Sequence, residues 1–245
     1  MNVSLPSSVE RLVEELSTSS GVEAVTLGGS RAIGVADATS DWDLGVFYRG
    51  TPDLTVVSVI GELHPPGSWG RFMNGGAWLE IDGHRVDVLL RDLDTVEHWS
   101  DRARSGDYEV DQLLGHIAGF PSYTLLAEVA LSPVLAGRLD IDPSFPDQLA
   151  SVAVWRWGFQ RDFSIDYARK MEKRGNQVGV IGNLARAVME EGHRRACSSH
   201  QWVLNEKRLL ESTDLASITL EPRGGSSELI ERVERALMGS DQTAS

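Results

Sequence analysis

The chain has 245 residues, with 23 Lys and Arg against 36 Asp and Glu, a formal net charge of −13. Hydrophobic residues at 41% and charged residues at 24% exclude wholesale disorder and leave apolar mass for one large domain or two small ones. The single cysteine, Cys197, excludes a disulfide framework and a cysteine-rich zinc site, and the acidity argues against gripping DNA or anionic lipid by bulk attraction. The N-terminus lacks a signal-peptide pattern and no stretch approaches the ~20 apolar residues of a membrane span, so a cytoplasmic setting is expected.

Val9, Leu12, Val13 and Leu16 recur at helical spacing and predict an amphipathic helix near the start, capped by Ser7 or Ser8. Val22 to Leu27 is β-compatible and runs into Gly28-Gly29-Ser30. Trp42 to Tyr48 reads as a second strand and Asp53 to Leu63 as a helix. Ala77 to Leu90 reads as a hairpin turning at Asp82-Gly83, a dipeptide suited to the positive φ angles of a type I′ turn. Near Asp92 the character changes to long helical patterns, with breaks near Phe120-Pro121, Asp142-Pro143 and Arg174-Gly175. The expected fold is α/β (α+β): a small mixed sheet in residues 1–92, then a helical bundle in 93–245 with a frayed end from Gly239 to Ser245. Between Ser151 and Leu210, 11 Lys and Arg outnumber 6 Asp and Glu. A solvated helical face and a surface turned toward a polyanionic ligand both account for that bias.

Chemistry concentrates in Gly28-Gly29-Ser30-Arg31, a short spacer, and Asp41-Trp42-Asp43. Side chains alternate across a strand, so Asp41 and Asp43 share a face. Carboxylates held this close repel unless they share a cation, and hard oxygen ligands suit Mg²⁺ completed by substrate phosphates. A glycine-rich turn after a strand offers backbone N–H groups to a phosphate. The two-residue hairpin turn then fixes a register: Ile81 pairs with His84, Glu80 with Arg85, Leu79 with Val86 and Trp78 with Asp87. Asp87 therefore lies on the polar side with Glu80 and Arg85, as a third carboxylate. Three carboxylates can hold two Mg²⁺ ions and serve an in-line displacement at phosphorus.

Gly29-Ser30, the spacer, Asp41-Trp42-Asp43 and Asp87 together resemble the DNA polymerase β-like nucleotidyltransferase superfamily over Val22 to Leu90. The remainder is similar to its small bacterial members, the aminoglycoside and lincosamide nucleotidyltransferases. Arg91-Asp92-Leu93, Gly115-His116 and Trp202-Val203-Leu204-Asn205-Glu206-Lys207 look like members known only as nucleotidyltransferase-domain proteins. The resemblance implies transfer of a nucleoside monophosphate, usually AMP from ATP, to a hydroxyl in a cleft between the two domains. Asp41 and Asp43 would bind the metals and triphosphate, and Gly28, Gly29, Ser30 and Arg31 would hold its phosphates. Asp87 would take the second metal and accept the hydroxyl proton, with Glu80 or Glu206 as rival bases, and Lys207 would reach the triphosphate from the helical domain. The acceptor expected is a small hydroxylated molecule, an antibiotic among the options. The same chemistry on a protein or RNA, as in toxin–antitoxin systems, and a non-catalytic nucleotide sensor are the alternatives.

Several residues read more plainly. Glu80 is expected to ion-pair with Arg85 across the hairpin, Asp37 to sit in a loop and His84 to be structural. His116 is read as a structural helical histidine, with a ligand contact as the alternative. Trp155, Trp157 and Trp202 are read as core, and Cys197 as an inert core thiol.

Overall fold

The computed structural model describes residues 4–239, which divide into two compact units: 4–102 with 122–144, and 103–121 with 145–239. The expected fraying of residues 240–245 lies outside the described residues. In chain order the strands are β1 (Val22–Leu27), β2 (Trp42–Tyr48), β3 (Glu62–His64), β4 (Gly75–Ile81), β5 (His84–Asp92), β6 (Val110–Asp111), β7 (Phe120–Pro121) and β8 (Val134–Gly137). The helices are α1 (Ser7–Thr18), α2 (Gly29–Ala32), α3 (Thr55–Ile60), α4 (Leu93–Arg104), α5 (Thr124–Leu131), α6 (Asp147–Glu172), α7 (Gln177–Ser198), α8 (Leu209–Ser212) and α9 (Ser226–Met238).

The first unit is a six-stranded mixed sheet in the order β3-β4-β5-β2-β1-β8. Only β2 and β5 run parallel; every other neighbouring pair is antiparallel. The hairpin register is the expected one, from Ile81↔His84 to Trp78↔Asp87. Asp82 and Gly83 both take positive φ, 50° and 77°, as a type I′ turn requires. Leu44, Val46, Val86, Val88 and Leu90 point to one face and pack with Val9, Leu12, Val13 and Leu16 of α1 into a single core. Burying such a side chain fully contributes about 1.5–3 kcal/mol, so α1 is held chiefly by its apolar stripe.

Three local expectations need correction. Helix α1 has no side-chain cap, because Pro6, with φ fixed at −58°, stands before its first turn in place of Ser7 or Ser8. The helix expected over Asp53 to Leu63 stops at Ile60, and Glu62–His64 pairs with β4 instead. Gly61 lies so close to β4 that a Cβ there would collide with the Trp78 carbonyl and Leu79. Finally, β8 occurs where only helix was expected. Pro133 follows α5, and its carbonyl accepts the Leu27 amide at 2.9 Å, starting the pairing of β8 with β1.

The second unit is built on the antiparallel pair α6 and α7, joined through Gly175 at φ 67° and capped by Asn176, whose side chain accepts the Gly179 amide at 2.9 Å. Ile165, Ala168, Val180, Leu184 and Val188 pack with Leu229, Ile230 and Val233 of α9. Charge is buried here as well. Glu191, with no exposed surface, accepts from Arg161 Nη1 at 2.7 Å, Arg194 Nε at 2.7 Å and Arg195 Nε at 2.9 Å. Burial alone would raise its pKa, but the arginines outweigh that and hold it below the usual carboxylate range. Its neighbour Glu190 moves the other way. Burial raises its pKa, against only Arg186 and the Ser164 hydroxyl. Trp157 is fully buried, stacked on His193 at 4.6 Å, and Cys197 is buried. Trp155, however, is 69% exposed, contrary to its expected place in the core.

Candidate active site

The site grows from the crossing of β1, β2 and β5. Parallel register sets Asp43 beside Asp87, with Leu44 beside Val88 on the opposite, buried face. Alternation therefore gives the two carboxylates a common face one strand apart. Asp41 lies one residue ahead of β2, at its mouth. The Asp41 Oδ1 atom is buried and receives no directed hydrogen bond, while Arg85 Nε stands 2.8 Å from it as an ion pair. Arg85 thus turns from Glu80, its hairpin partner, toward Asp41, and Nη2 also donates to the Thr39 carbonyl at 3.3 Å. The cross-strand Glu80–Arg85 pair is replaced because the loop before β2 offers a half-buried carboxylate next to an exposed one.

The turn after β1 presses against the same carboxylates. Gly28 donates its amide to the Asp43 carbonyl at 2.7 Å, so that amide joins the turn to β2. Gly29 follows at φ +60° and opens α2, and a Cβ built on it would overlap the Asp43 carboxylate. Only glycine lets the backbone come this close in a left-handed conformation. Gly29→Ala is expected to lower stability by about 1–2 kcal/mol from the φ penalty. The same overlap would displace the Asp43 carboxylate, and thermal melting of the variant reads the loss of stability.

Arg31 is bonded within the spacer loop. Its Nη2 donates to the Ser40 carbonyl at 2.5 Å and its Nε to the Asp41 carbonyl at 3.1 Å, and its guanidinium lies 4.0 Å from the Trp42 ring centroid. It closes the spacer loop and sets Asp41 at the strand mouth. Asp37 is an exposed loop residue, as expected. Its side chain accepts from the Thr39 amide and hydroxyl and from Ser40, which hold its pKa below the usual range. Beneath the site, Arg91 is buried on β5, in bidentate contact with Glu128 of α5 at 2.5 and 2.7 Å. That pair ties β5 to α5 on the face that carries Asp87.

Sequence reasoning missed an aromatic cluster in this unit. Trp78, opposite Asp87 across the hairpin, is 51% exposed. His64 and Trp69 flank its ring, with centroids at 4.6 and 5.2 Å. Its alternation with the core residues Ala77 and Leu79 was the available signal: an indole on the polar side of a hairpin.

The remaining expected residues lie in the second unit. Glu206 is buried and accepts the Ile117 and Ala118 amides at 2.5 and 2.9 Å, with His193 Nε2 at 3.6 Å. Burial opposes ionisation, but His193 and the two amides win and lower its pKa. A carboxylate spent in this way is an anchor for the 117–118 backbone and is corrected as a candidate base. Asn205 caps the following turn by accepting the Lys207 amide at 3.0 Å, and Lys207 itself is exposed. His116 packs edge-on to Phe120 at 5.7 Å, both ring nitrogens buried.

A divalent cation can be tested against these donors. Among the described residues, no three His, Cys, Asp or Glu side chains converge as a metal-holding group. Asp43 and Asp87 instead form a neighbouring pair, with Asp41, ion-paired to Arg85, at the rim. Such an incomplete hard-oxygen shell fits an ion of the Mg²⁺ type, which keeps one or two carboxylates and takes the rest from substrate phosphates.

Residues 9–105 match the family model described as a nucleotidyltransferase domain, and so the chain carries the fold unit of a nucleotidyltransferase enzyme. The chain is also similar to the solved structure of a nucleotidyltransferase-like protein from Exiguobacterium sibiricum 255-15. The identity is 12%, over 96% of this chain and 73% of that one, with a TM-score of 0.45. No curated protein matches the chain. Among the described residues, no helix is long and apolar enough to cross a membrane.

Proposed function

We propose that the first unit transfers a nucleoside monophosphate, AMP from ATP as the working donor, to the hydroxyl of a small molecule. The observation that carries this reading is the in-register pair Asp43 and Asp87 beside the Gly29-Ser30 turn. The amides and hydroxyl at Gly29 and Ser30 hold the terminal phosphates, and Asp41, Asp43 and Asp87 would hold two Mg²⁺ ions. When bound, those ions supply charge stabilisation at the phosphoryl oxygens. Asp87 takes the proton of the acceptor hydroxyl. The hydroxyl oxygen then bonds to the α-phosphorus as the bond to the leaving oxygen breaks, and pyrophosphate departs. Arg85 keeps Asp41 paired before substrate arrives, and Arg31 keeps it in place. Lys207 is our candidate for a further triphosphate contact, on the resemblance alone.

Trp78 is the surface on which we place the acceptor, since it is a half-exposed ring one strand from Asp87. Trp78→Ala is expected to raise the acceptor KM about tenfold and leave the KM for nucleotide within twofold. The direct test incubates the full chain with α-labelled ATP, Mg²⁺ and a panel of hydroxylated compounds that includes aminoglycosides and lincosamides. Labelled product with release of pyrophosphate supports the reading. Label on a protein or RNA shifts it to a macromolecular acceptor, and absence of both transfer and Mg²⁺-dependent triphosphate binding ends it.

A further inference from the structure

The Gly28-Gly29-Ser30 turn has a neighbour from far along the chain. Strand β8 pairs with β1 at Thr26↔Val134, and the Leu27 amide donates to the Pro133 carbonyl at 2.9 Å. The next residue back, Ser132, is thereby brought alongside Gly28. Its Oγ lies 4.0 Å from the point that a Gly28 Cβ would occupy, and the Asp43 Cβ lies 3.5 Å from the same point. Ser132 and Asp43 therefore flank Gly28 on one face of the sheet, and the row continues from Asp43 to Asp87. Neighbouring strands stand about 4.8 Å apart, so two strand spacings separate Ser132 from Asp43. Because Gly28 has no side chain, only bare backbone lies between them, and the space above it is open to a ligand.

The Ser132 hydroxyl is fixed in place and unspent. Ser132 ends α5, where its amide donates to the Glu128 carbonyl at 3.0 Å, and Pro133 holds the next residue on β1. Glu128 is itself tied to Arg91. The side chain is only 8% exposed, yet among the described residues its hydroxyl makes no hydrogen bond. A buried hydroxyl without a partner is unfavourable, and a bound group that accepts its proton removes that cost. We infer that Ser132 is a nucleotide-binding residue, its hydroxyl donating to a phosphoryl oxygen of the pyrophosphate half of the triphosphate. The inference rests on the transfer reading above. Asp43 and Asp87 lie on the other side of Gly28, so the end of the ligand that reaches Ser132 is the one over the turn, remote from the α-phosphorus. Ser132 stands outside the matched residues 9–105, so the shared domain does not supply this contact and the α5–β8 junction of this chain does.

Isothermal titration of the full chain and of Ser132→Ala with ATP and with pyrophosphate, each with Mg²⁺, tests this. A hydrogen bond to a charged oxygen corresponds to a factor of about ten in affinity, and that loss is expected for both ligands. The ligand-free melting temperature is expected to stay level or rise, because the variant removes an unbonded polar group. Affinities within twofold of the parent's overturn the inference. So does weaker binding accompanied by a fall of several degrees in melting temperature, which marks the hydroxyl as structural. A loss for ATP with pyrophosphate binding unchanged also overturns it, since the hydroxyl is then not on the terminal phosphates. A parent that binds neither ligand ends both the inference and the reading beneath it. A parent that binds both but transfers to no acceptor ends the transfer reading alone, and the Ser132→Ala affinities still decide the inference.

Discussion

Asp43→Asn is expected to lower nucleotidyl transfer by roughly 10³-fold while leaving the melting temperature within a few degrees of the parent. Charge stabilisation by a held cation contributes several kcal/mol at a phosphoryl transition state, and each 1.36 kcal/mol is a factor of ten. Asp43→Asn keeps the shape of the side chain, and the Asp43 carbonyl still accepts the Gly28 amide. A variant that keeps more than a tenth of the parent's activity would sink the assignment of Asp43. Asp41→Asn is expected to fall less, because Asp41 stands at the rim and already shares its charge with Arg85.

Glu191→Gln is the substitution with the largest expected effect on stability. It leaves Arg161, Arg194 and Arg195 around a neutral amide with no exposed surface. Breaking a buried charge pair by removing one partner costs about 3–5 kcal/mol, or a fall of about 10 °C in melting temperature at this chain length. The pH dependence has a definite sign. The folded-state pKa of Glu191 is depressed, so its contribution is present above the unfolded value near ~4.3 and is lost as pH falls through the folded pKa. Thermal melts of parent and variant should therefore converge toward acid pH. Curves that stay parallel down to acid unfolding would show that the arginines do not stabilise the ionised form.

What could be read in advance was whatever a short segment decides for itself. The hairpin register followed from Asp82-Gly83 because a two-residue turn leaves no freedom, and α1 followed from its stripe. The glycine turn and the Asp-x-Asp were visible as residues. Their meeting depends on the antiparallel pairing of β1 with β2, and the arrival of Asp87 on the parallel pairing of β2 with β5, which no local pattern sets. Arg85 shows the same limit, since the hairpin placed it opposite Glu80 and the spacer loop drew it to Asp41. Trp155 was misjudged because a helix apolar on two sides gives no hint of which side stays inside. Strand β8 was missed because four residues without alternation carry almost no signal, and only the free edge of β1 makes them a strand.

That last strand bears on the order in which the protein can fold as it is made. The family match ends at residue 105, yet β1 is completed by Val134–Gly137, and the Leu27 amide, just ahead of the Gly28-Gly29 turn, waits for the Pro133 carbonyl. A nascent chain that has emerged only through residue 105 carries every proposed catalytic carboxylate but presents β1 as an open edge able to pair with any passing strand. The stretch 103–121, which belongs to the other unit, must be synthesised before that edge can close. Synthesis thus imposes an interval in which the carboxylates exist but their sheet is unsealed, and a fragment cut at the family boundary would remain in that interval permanently.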